Sequence, residues 1–242
     1  QLGASEKILV GKDLSKADLS KINLTGQDLS GANLSGQDLR KVDLTDTMLR
    51  GANLSFTNLS GQNLSGKDLR GMNFHGANLE NADLTNITIS ERQIQVWQFY
   101  HSAFNVIKNE SIRTDFSNAN LRGTTISFAT EVVSFVDFSG ADLTGIEFSE
   151  LIFAGCKFNG TNFSNSNMNG GSFILSEFVD AEFNNSKFDR MLFWQVSFRN
   201  AKITDGYFEK PNFIDVDFSN ANLKGTVFSE VNLSGDNNLR CK

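Results

Sequence analysis

An apolar side chain recurs at every fifth residue over most of this 242-residue chain. A leucine, phenylalanine or isoleucine occupies each such position from Leu14 to Ile89. The spacing returns at Phe116, then shifts its phase by two residues and continues from Val133 to Leu233. A helix repeats every 3.6 residues and an alternating strand every two, so neither gives every fifth side chain the same environment. The pattern therefore predicts a coil in which each group of five residues forms one equivalent side.

The residues around each central position repeat as well. In Gly31-Ala32-Asn33-Leu34-Ser35, as in many other units, the residue two before the centre is small or uncharged and the residue just before it is Asp or Asn. A small residue fits a crowded interior beside a large apolar neighbour. Asp and Asn favour a polar exterior and a turning backbone.

These units resemble the pentapeptide-repeat family, whose consensus is A(D/N)LXX. The resemblance covers almost the whole chain except the first residues, the stretch near 90–113 and the tail. It implies an all-β fold, a right-handed quadrilateral β-helix with four pentapeptides per coil. It implies much less about function, because one fold hosts many roles.

The chain divides into a first β-helix block at 1–89, an insertion at 90–113, a second block at 114–235 and a tail at 236–242. The insertion predicts an amphipathic α-helix, because Ser90 and Gln93 form a capping-box pattern and apolar residues follow near helical spacing. These apolar residues are Ile94, Trp97, Tyr100, Phe104 and Ile107. The phase shift between Thr124 and Phe135 predicts a bulge or a short loop that changes the register between the blocks.

Folding the second block into coils of twenty residues predicts an apolar stripe on the outside of one side. The residues just after the centres of that side are Ser134, Ala154, Ile174, Trp194, Ile214 and Ser234, and their neighbours include Val132, Phe135, Ile152, Leu175 and Leu192. An exposed apolar patch usually marks a contact. Either the inserted helix covers the stripe or a second copy or another protein binds there. The candidate contact residues are Trp97, Tyr100, Phe104, Ile152, Ile174, Leu192, Trp194 and Ile214.

Charge is distributed unevenly, with a formal net charge of −6. Residues 116–242 hold ten Lys and Arg against fifteen Asp and Glu. One predicted column contains Asp137, Lys157, Glu177, Ser197 and Asp217. The resemblance implies an alternative function here, because some family members mimic DNA and protect DNA gyrase or topoisomerase IV. Lys157 interrupts this acidic column, and Lys202 interrupts the acids Asp142 and Glu182 that flank it.

The sequence contains no pattern that predicts chemistry. His75 and His101 are the only histidines, and we find no metal-ligand spacing, phosphate-binding glycine loop or nucleophile with a base. Periodicity alone explains the many carboxylates. We therefore expect no catalytic residues, no cofactor, no metal, no direct nucleic-acid binding and no membrane span. The sequence leaves open a monomer or a dimer, and a cytoplasmic protein or a secreted one.

Two further expectations concern the interior. The Phe residues, 22 in all, are expected to fill the core as stacked rings. Five long polar residues stand where alanine is usual, and their stems are expected to carry the polar groups outward at the corners. These residues are Lys12, Gln27, Gln37, Gln62 and Lys67.

The function that the sequence favours is a non-enzymatic protein-interaction or scaffold module, including a bacterial effector or a fragment of one. The alternative is the DNA mimic that protects type II topoisomerases. The protein partner itself is not identified by any residue pattern.

Overall fold

The computed structural model describes residues 9–89, 114–122, 124–128 and 131–233, and these form a four-sided parallel β-helix. Outside the junctions between the two blocks, residues that pair between coils are twenty positions apart, as in Asp13 with Asn33 and Lys157 with Glu177. Five residues therefore make one side and twenty make one coil, as the spacing predicts. The predicted inserted helix lies outside the described residues.

Strands are short, because each side of a coil has only a few extended residues. The strands are β1 Asp83–Ile87, β2 Thr125–Phe128, β3 Val132–Ser134, β4 Glu147–Ser149, β5 Ile152–Ala154, β6 Asn167–Asn169, β7 Ser172–Ile174, β8 Lys187–Asp189, β9 Leu192–Trp194, β10 Tyr207–Glu209, β11 Asn212–Ile214 and β12 Val227–Ser229. Strands β3, β5, β7, β9 and β11 form one parallel sheet, and β4, β6, β8, β10 and β12 form another. The remaining pairing is mostly through single bridges, and one 3₁₀ turn spans Leu19–Lys21.

We number the sides by their central residues in the first coil of the second block. Side 1 has Val133 at its centre, side 2 Phe138, side 3 Leu143 and side 4 Phe148. All four central residues are buried. Side 1 thus carries the first of the two sheets and side 4 the second.

Backbone hydrogen bonds join each coil to the next and also close the corners. The amide of Leu34 donates to the carbonyl of Asn53 at 2.8 Å, and Asn53 donates back to Ala32 at 2.8 Å. Within a coil, the amide of Ala32 donates to the carbonyl of Leu29 at 2.9 Å, and Gly31 between them has φ +67°. A positive φ at the third residue defines a type II turn. This geometry explains why Gly, Asn and Asp recur two residues after the centres.

Phenylalanine rings stack along the interior in register with the coils. On side 2, the Phe158 ring lies 5.2 Å from Phe138 and 4.8 Å from Phe178, and the ring planes are nearly parallel. The expectation that Phe fills the core is confirmed for most of the described rings but is wrong for Phe56, which is 64% exposed. Phe56 stands two residues after the centre Leu54, at a corner with φ +57°, so its side chain points outward.

The Asp or Asn before each centre has a definite structural role. The Oδ1 of Asp28 accepts the backbone N–H of Ser30 at 2.9 Å, and Asn53 makes the same bond to Ser55 at 3.1 Å. These Asx turns fix the backbone as it leaves the central residue. Because only Oδ1 is needed, Asp and Asn can exchange at this position.

The long polar residues at inward positions do not all carry their polar groups outward. The Gln37 amide donates to the backbone carbonyls of Leu14 at 2.8 Å and Ala17 at 3.0 Å, and Lys67 Nζ donates to the Thr47 carbonyl at 3.2 Å. The Gln62 amide likewise donates to the carbonyls of Leu39 and Val42. The expectation of outward-reaching stems is therefore wrong for Gln37, Gln62 and Lys67. Carbonyls of the preceding coil satisfy these groups inside the corner, which removes the penalty of an unpaired buried polar group.

The two blocks pair directly across the insertion. Asn73 pairs with Asp115, 42 positions later, and Asp115 pairs with Asp137, 22 positions later. The coil that contains Ile89 and Phe116 is thus longer by 22 residues, and the next step is longer by two. The register between β1 and β2 also shifts, between Leu84 and Ile87 on one strand and Ile126 and Phe128 on the other, so the pairing changes within the predicted region.

We predict that Phe158→Ala destabilises the protein by about 3–5 kcal/mol, because it removes a fully buried ring from a continuous stack. Chemical denaturation monitored by circular dichroism measures the change. Phe56→Ala is the matched control and should lower stability by less than about 1 kcal/mol, since its ring is mostly in water. Equal losses in both variants would contradict the assignment of the rings to core and corner.

A second prediction concerns acid stability. The hydrogen bonds of the Arg40 side chain and backbone N–H to Asp38 lower the pKa of this carboxyl to about 2. The folded-state pKa of Asp38 lies below the ordinary value of 3.8. The ionised Asp38 therefore stabilises the folded protein above pH 4, and this stabilisation is lost as the pH falls toward 2. Asp38→Asn keeps the Oδ1 acceptor but has no carboxylate. The thermal midpoint of this variant should therefore fall less between pH 4 and pH 2 than that of the native protein; parallel curves would contradict the prediction.

Candidate protein-contact surface

Side 1 of the second block presents apolar residues to the outside as well as to the core. Within each strand of its sheet the central residue is buried and the two flanking residues face outward. The strand pairing brings Ser134, Ala154, Ile174, Trp194 and Ile214 into one column. Their neighbours on the same face are Val132, Ile152 and Leu192. We call these residues, with Phe135 and Leu175 at the adjacent corner, the apolar stripe.

Burial separates the stripe from the other outward positions. Ala154 and Ile174 have 0% exposure although they face away from the core, and Ser134 is 6% exposed. Trp194 and Ile214, farther along the column, are half-buried. On the other three sides of residues 131–233, every residue just before or after a centre is half-buried or exposed. The stripe is thus the part of this block where outward side chains leave the solvent.

Ala154 and Ile174 form a small hydrophobic cluster of their own, outside the main core. Ile152, Leu175 and Trp194 pack against them. An apolar cluster on an outward sheet face has no role in closing the β-helix, since the central residues already fill the interior. This second cluster therefore indicates a contact of side 1 with another element.

The corner beside the stripe holds two bulky residues in an unfavourable backbone conformation. Phe135 has φ +58° and Leu175 has φ +52°, in the left-handed region that is rarely adopted by large side chains. The ring of Phe135 lies over Gly155, whose added Cβ would come within 2.6 Å of Phe135 Cε1. Farther along, the same corner carries the polar residues Gln195 and Asp215. The apolar corner therefore ends just beyond Ile174.

The strand pairing places five of the candidate contact residues on one face: Ile152, Ile174, Leu192, Trp194 and Ile214 all lie on the side 1 sheet. The other three candidates, Trp97, Tyr100 and Phe104, lie outside the described residues. A second apolar region was missed. Val227, Phe228, Val231 and Leu233 are 51%, 38%, 38% and 51% exposed. The periodicity marked Phe228 and Leu233 as central residues, and it could not show that no described coil follows to cover them.

Charged residues on the neighbouring sides pair with one another. Lys202 Nζ lies 2.6 Å from Glu182 Oε1, and this hydrogen bond raises the pKa of Lys202. On side 2 the bridges place Lys157 between Asp137 and Glu177. The pairing confirms the predicted column, in which Lys157 lies between two acids, and Lys202 lies beside Glu182 on side 3. These two lysines interrupt the acidic surface.

The described residues contain no group of His, Cys, Asp and Glu that could hold a metal ion. His75, the one histidine among them, has its Nδ1 2.7 Å from Ser117 Oγ and its ring edge-on to Phe56 at 5.2 Å. Both contacts join neighbouring coils. We therefore assign His75 a structural role at the corner.

Comparison with known proteins agrees with this architecture. The family model for pentapeptide repeats matches eight copies over residues 17–55, 52–90, 134–170 and 212–235, which together exceed half of the chain. The chain therefore belongs to the pentapeptide repeat family. No curated protein matches the chain. No helix within the described ranges combines the length and the apolar character needed to cross a membrane.

Among solved structures, HetL from the cyanobacterium Nostoc sp. strain PCC 7120 is similar, a pentapeptide repeat protein involved in heterocyst differentiation regulation. It is 19% identical with a TM-score of 0.56, covering 86% of this chain and 81% of HetL. QnrB1, a plasmid-mediated fluoroquinolone resistance protein, is 14% identical with a TM-score of 0.32, covering 93% of this chain and 90% of QnrB1. The likeness to HetL extends to the fold alone, and the likeness to QnrB1 supports no conclusion about this chain.

The corner geometry predicts different results for two glycines of the same coil. Gly155→Ala should lower stability more than Gly160→Ala, by about 1 kcal/mol or more, because both have similar positive φ values but only Gly155 lies under the Phe135 ring. Thermal or chemical denaturation measures both. In Phe135→Ala protein the two substitutions should have equal effects. A persistent difference there would show that the Phe135 ring is not the cause.

Proposed function

We propose that this protein is a non-enzymatic interaction module that presents side 1 of its β-helix to another protein. The observation that carries the proposal is the apolar stripe, an outward hydrophobic cluster on a rod whose other sides are polar. Solenoids use such extended surfaces for binding, because stacked repeats hold side chains at fixed spacing. The bacterial effector remains one setting for such a module.

The chemistry of the surface favours a partner with an apolar patch of its own. The end of the stripe that lies farther from the first block is half-buried, at Leu192, Trp194 and Ile214. A tryptophan flanked by aliphatic residues is typical of the centre of a protein interface, where a few aromatic anchors supply most of the binding energy. Gln195 and Asp215 at the adjacent corner add polar groups at the edge. An apolar centre with a polar rim is the usual arrangement of such surfaces.

The alternative function, a DNA mimic that occupies the DNA-binding site of a type II topoisomerase, requires a continuous acidic face. Lys157 interrupts the side 2 column between Asp137 and Glu177, and the Lys202–Glu182 pair interrupts the neighbouring side 3, so the acidic face is not continuous although it keeps a net negative charge. Exposed pairs of this kind contribute only about 0–1 kcal/mol to stability. The interaction module is therefore the function that the surface supports best.

Site-specific photo-crosslinking in cells that make the protein tests the proposal. A photoreactive amino acid at position 192 should give a discrete adduct with a different protein. The matched control is position 197, which stands just before the centre of side 2 in the same coil and should give no such adduct.

Two results would contradict the interaction module. Equal labelling patterns at positions 192 and 197 would mean that side 1 has no special contact. An adduct at position 192 with twice the mass of the chain would mean that the surface joins two copies rather than a partner. Light scattering of the purified protein separates these cases, because self-association raises the solution mass.

A further inference from the structure

The near end of the apolar stripe is covered by part of the same chain: we propose that residues 90–113 pack on Ala154 and Ile174. Both side chains face outward and both have 0% exposure. On the polar sides of the same block, residues in equivalent positions keep contact with solvent. This inference limits the surface left for the proposed partner to the far part of the stripe, and its test does not require that partner.

The place where the segment leaves the β-helix supports this occupant. Ile89 is the central residue of side 1 in the coil before Val133, and the chain rejoins at Phe116 on side 2. The segment therefore departs at the corner between sides 1 and 2. That corner continues along the rod through Phe135 and Leu175, which border the stripe. Thr114 Oγ1 donates to the Ile89 carbonyl at 2.7 Å, so the two ends of the segment are held together.

The outward residues of side 1 also indicate in which direction along the rod residues 90–113 extend. Toward the first block, the outward residues just after the centres of side 1 are Ser30, Arg50 and Arg70. Toward the second block they are Ser134, Ala154 and Ile174. The sequence of 90–113 has an apolar face that includes Trp97 and Phe104. An apolar face finds a hydrophobic surface only on the second block, so the segment extends in that direction.

The length of the segment matches the extent of burial. Because both ends lie together, 24 residues must run out and return. A helix of about 14 residues reaches roughly 21 Å, and about seven extended residues return over a similar distance. With coils spaced roughly 4.8 Å apart, Ile174 lies about 14 Å and Ile214 about 24 Å beyond the departure point. The segment therefore extends past Ile174, ends near the coil of Trp194 at about 19 Å, and does not reach Ile214. This extent agrees with full burial of Ile174 and half-burial of Trp194 and Ile214.

This assignment divides the stripe into two parts. The near part, around Ala154 and Ile174, is an intramolecular contact that fastens the insertion to the rod. The far part, around Leu192 and Ile214, lies at the limit of the segment and is the part that a partner can reach.

Thiol labelling of the full-length chain tests the inference. Ile174→Cys is compared with Val179→Cys, which stands just after the centre of side 2 in the same coil. Both are made with Cys156→Ser and Cys241→Ser; serine suits position 156 because Ser176 occupies the same inward place one coil later. With a maleimide probe, Cys at 174 should react at least about 100-fold more slowly than Cys at 179, since only local opening exposes it.

Substitutions in the segment identify what provides the protection. Trp97→Ser combined with Phe104→Ser should accelerate labelling at 174 by about tenfold or more and leave labelling at 179 unchanged, because the cover is lost while the rod stays folded. Gln95→Ser with Asn105→Ser is the matched control and should leave both rates unchanged.

Three results would overturn the inference. Rapid labelling at 174 in the otherwise unchanged chain would show that the position is open. Slow labelling that becomes faster on dilution would assign the cover to a second copy. Slow labelling that is unaffected by Trp97→Ser with Phe104→Ser would assign the protection to the stripe's own side chains.

Discussion

The backbone ladder between coils is the interaction on which the whole molecule depends. Each extended side bonds to the coils before and after it: Asn53 donates to Ala32 and accepts from Leu34 in the coil before. Its neighbours Leu54 and Ala52 donate to and accept from Asn73 in the coil after. Such a ladder closes only if every coil has the same path, so the chain must turn at the same four places in each twenty residues. The five-residue spacing of central residues follows from this requirement. A chain that lost the register would leave rows of backbone groups unpaired, at a penalty of about 1–3 kcal/mol for each buried group.

The same requirement explains where the chain tolerates extra residues. The insertion after Ile89 begins at a corner, and the pairing of Asn73 with Asp115 resumes the ladder on the next side. The two-residue shift before Val133 also falls between sides, where β1 and β2 change register. Loop length is inexpensive in free energy compared with broken pairing, because the closure entropy grows only with the logarithm of the length. Extra chain therefore accumulates at corners and leaves the sides unchanged.

Much of this fold could be predicted from sequence because each residue position has one fixed role. The period placed Trp194 beside Ile174 and Ile214 without any knowledge of contacts, and the strand pairing confirms it. The position of the Gln37 side-chain amide could not be predicted in the same way. Its amide bonds to two carbonyls of the preceding coil, and that choice depends on the three-dimensional shape of the corner. Burial of Ile174 was also beyond the pattern, because the pattern describes the rod and not what packs on it.

Side 1 shows how a surface can be added to a fold that needs none. The stacked rings of side 2 already fill the interior, so outward apolar residues such as Ile174 contribute nothing to the coil itself. Full burial of one such side chain is worth about 1.5–3 kcal/mol when something covers it, and exposing it to water gives that stabilisation up. Phe135 and Leu175 add a further constraint, since the left-handed corner is unfavourable for both. Elsewhere in the described rod most of these corners carry glycine, asparagine or aspartate. Large apolar side chains therefore occupy a strained corner beside an apolar column. A contact on this face explains both features, because burial of the apolar groups offsets the cost of exposure and the cost of backbone strain.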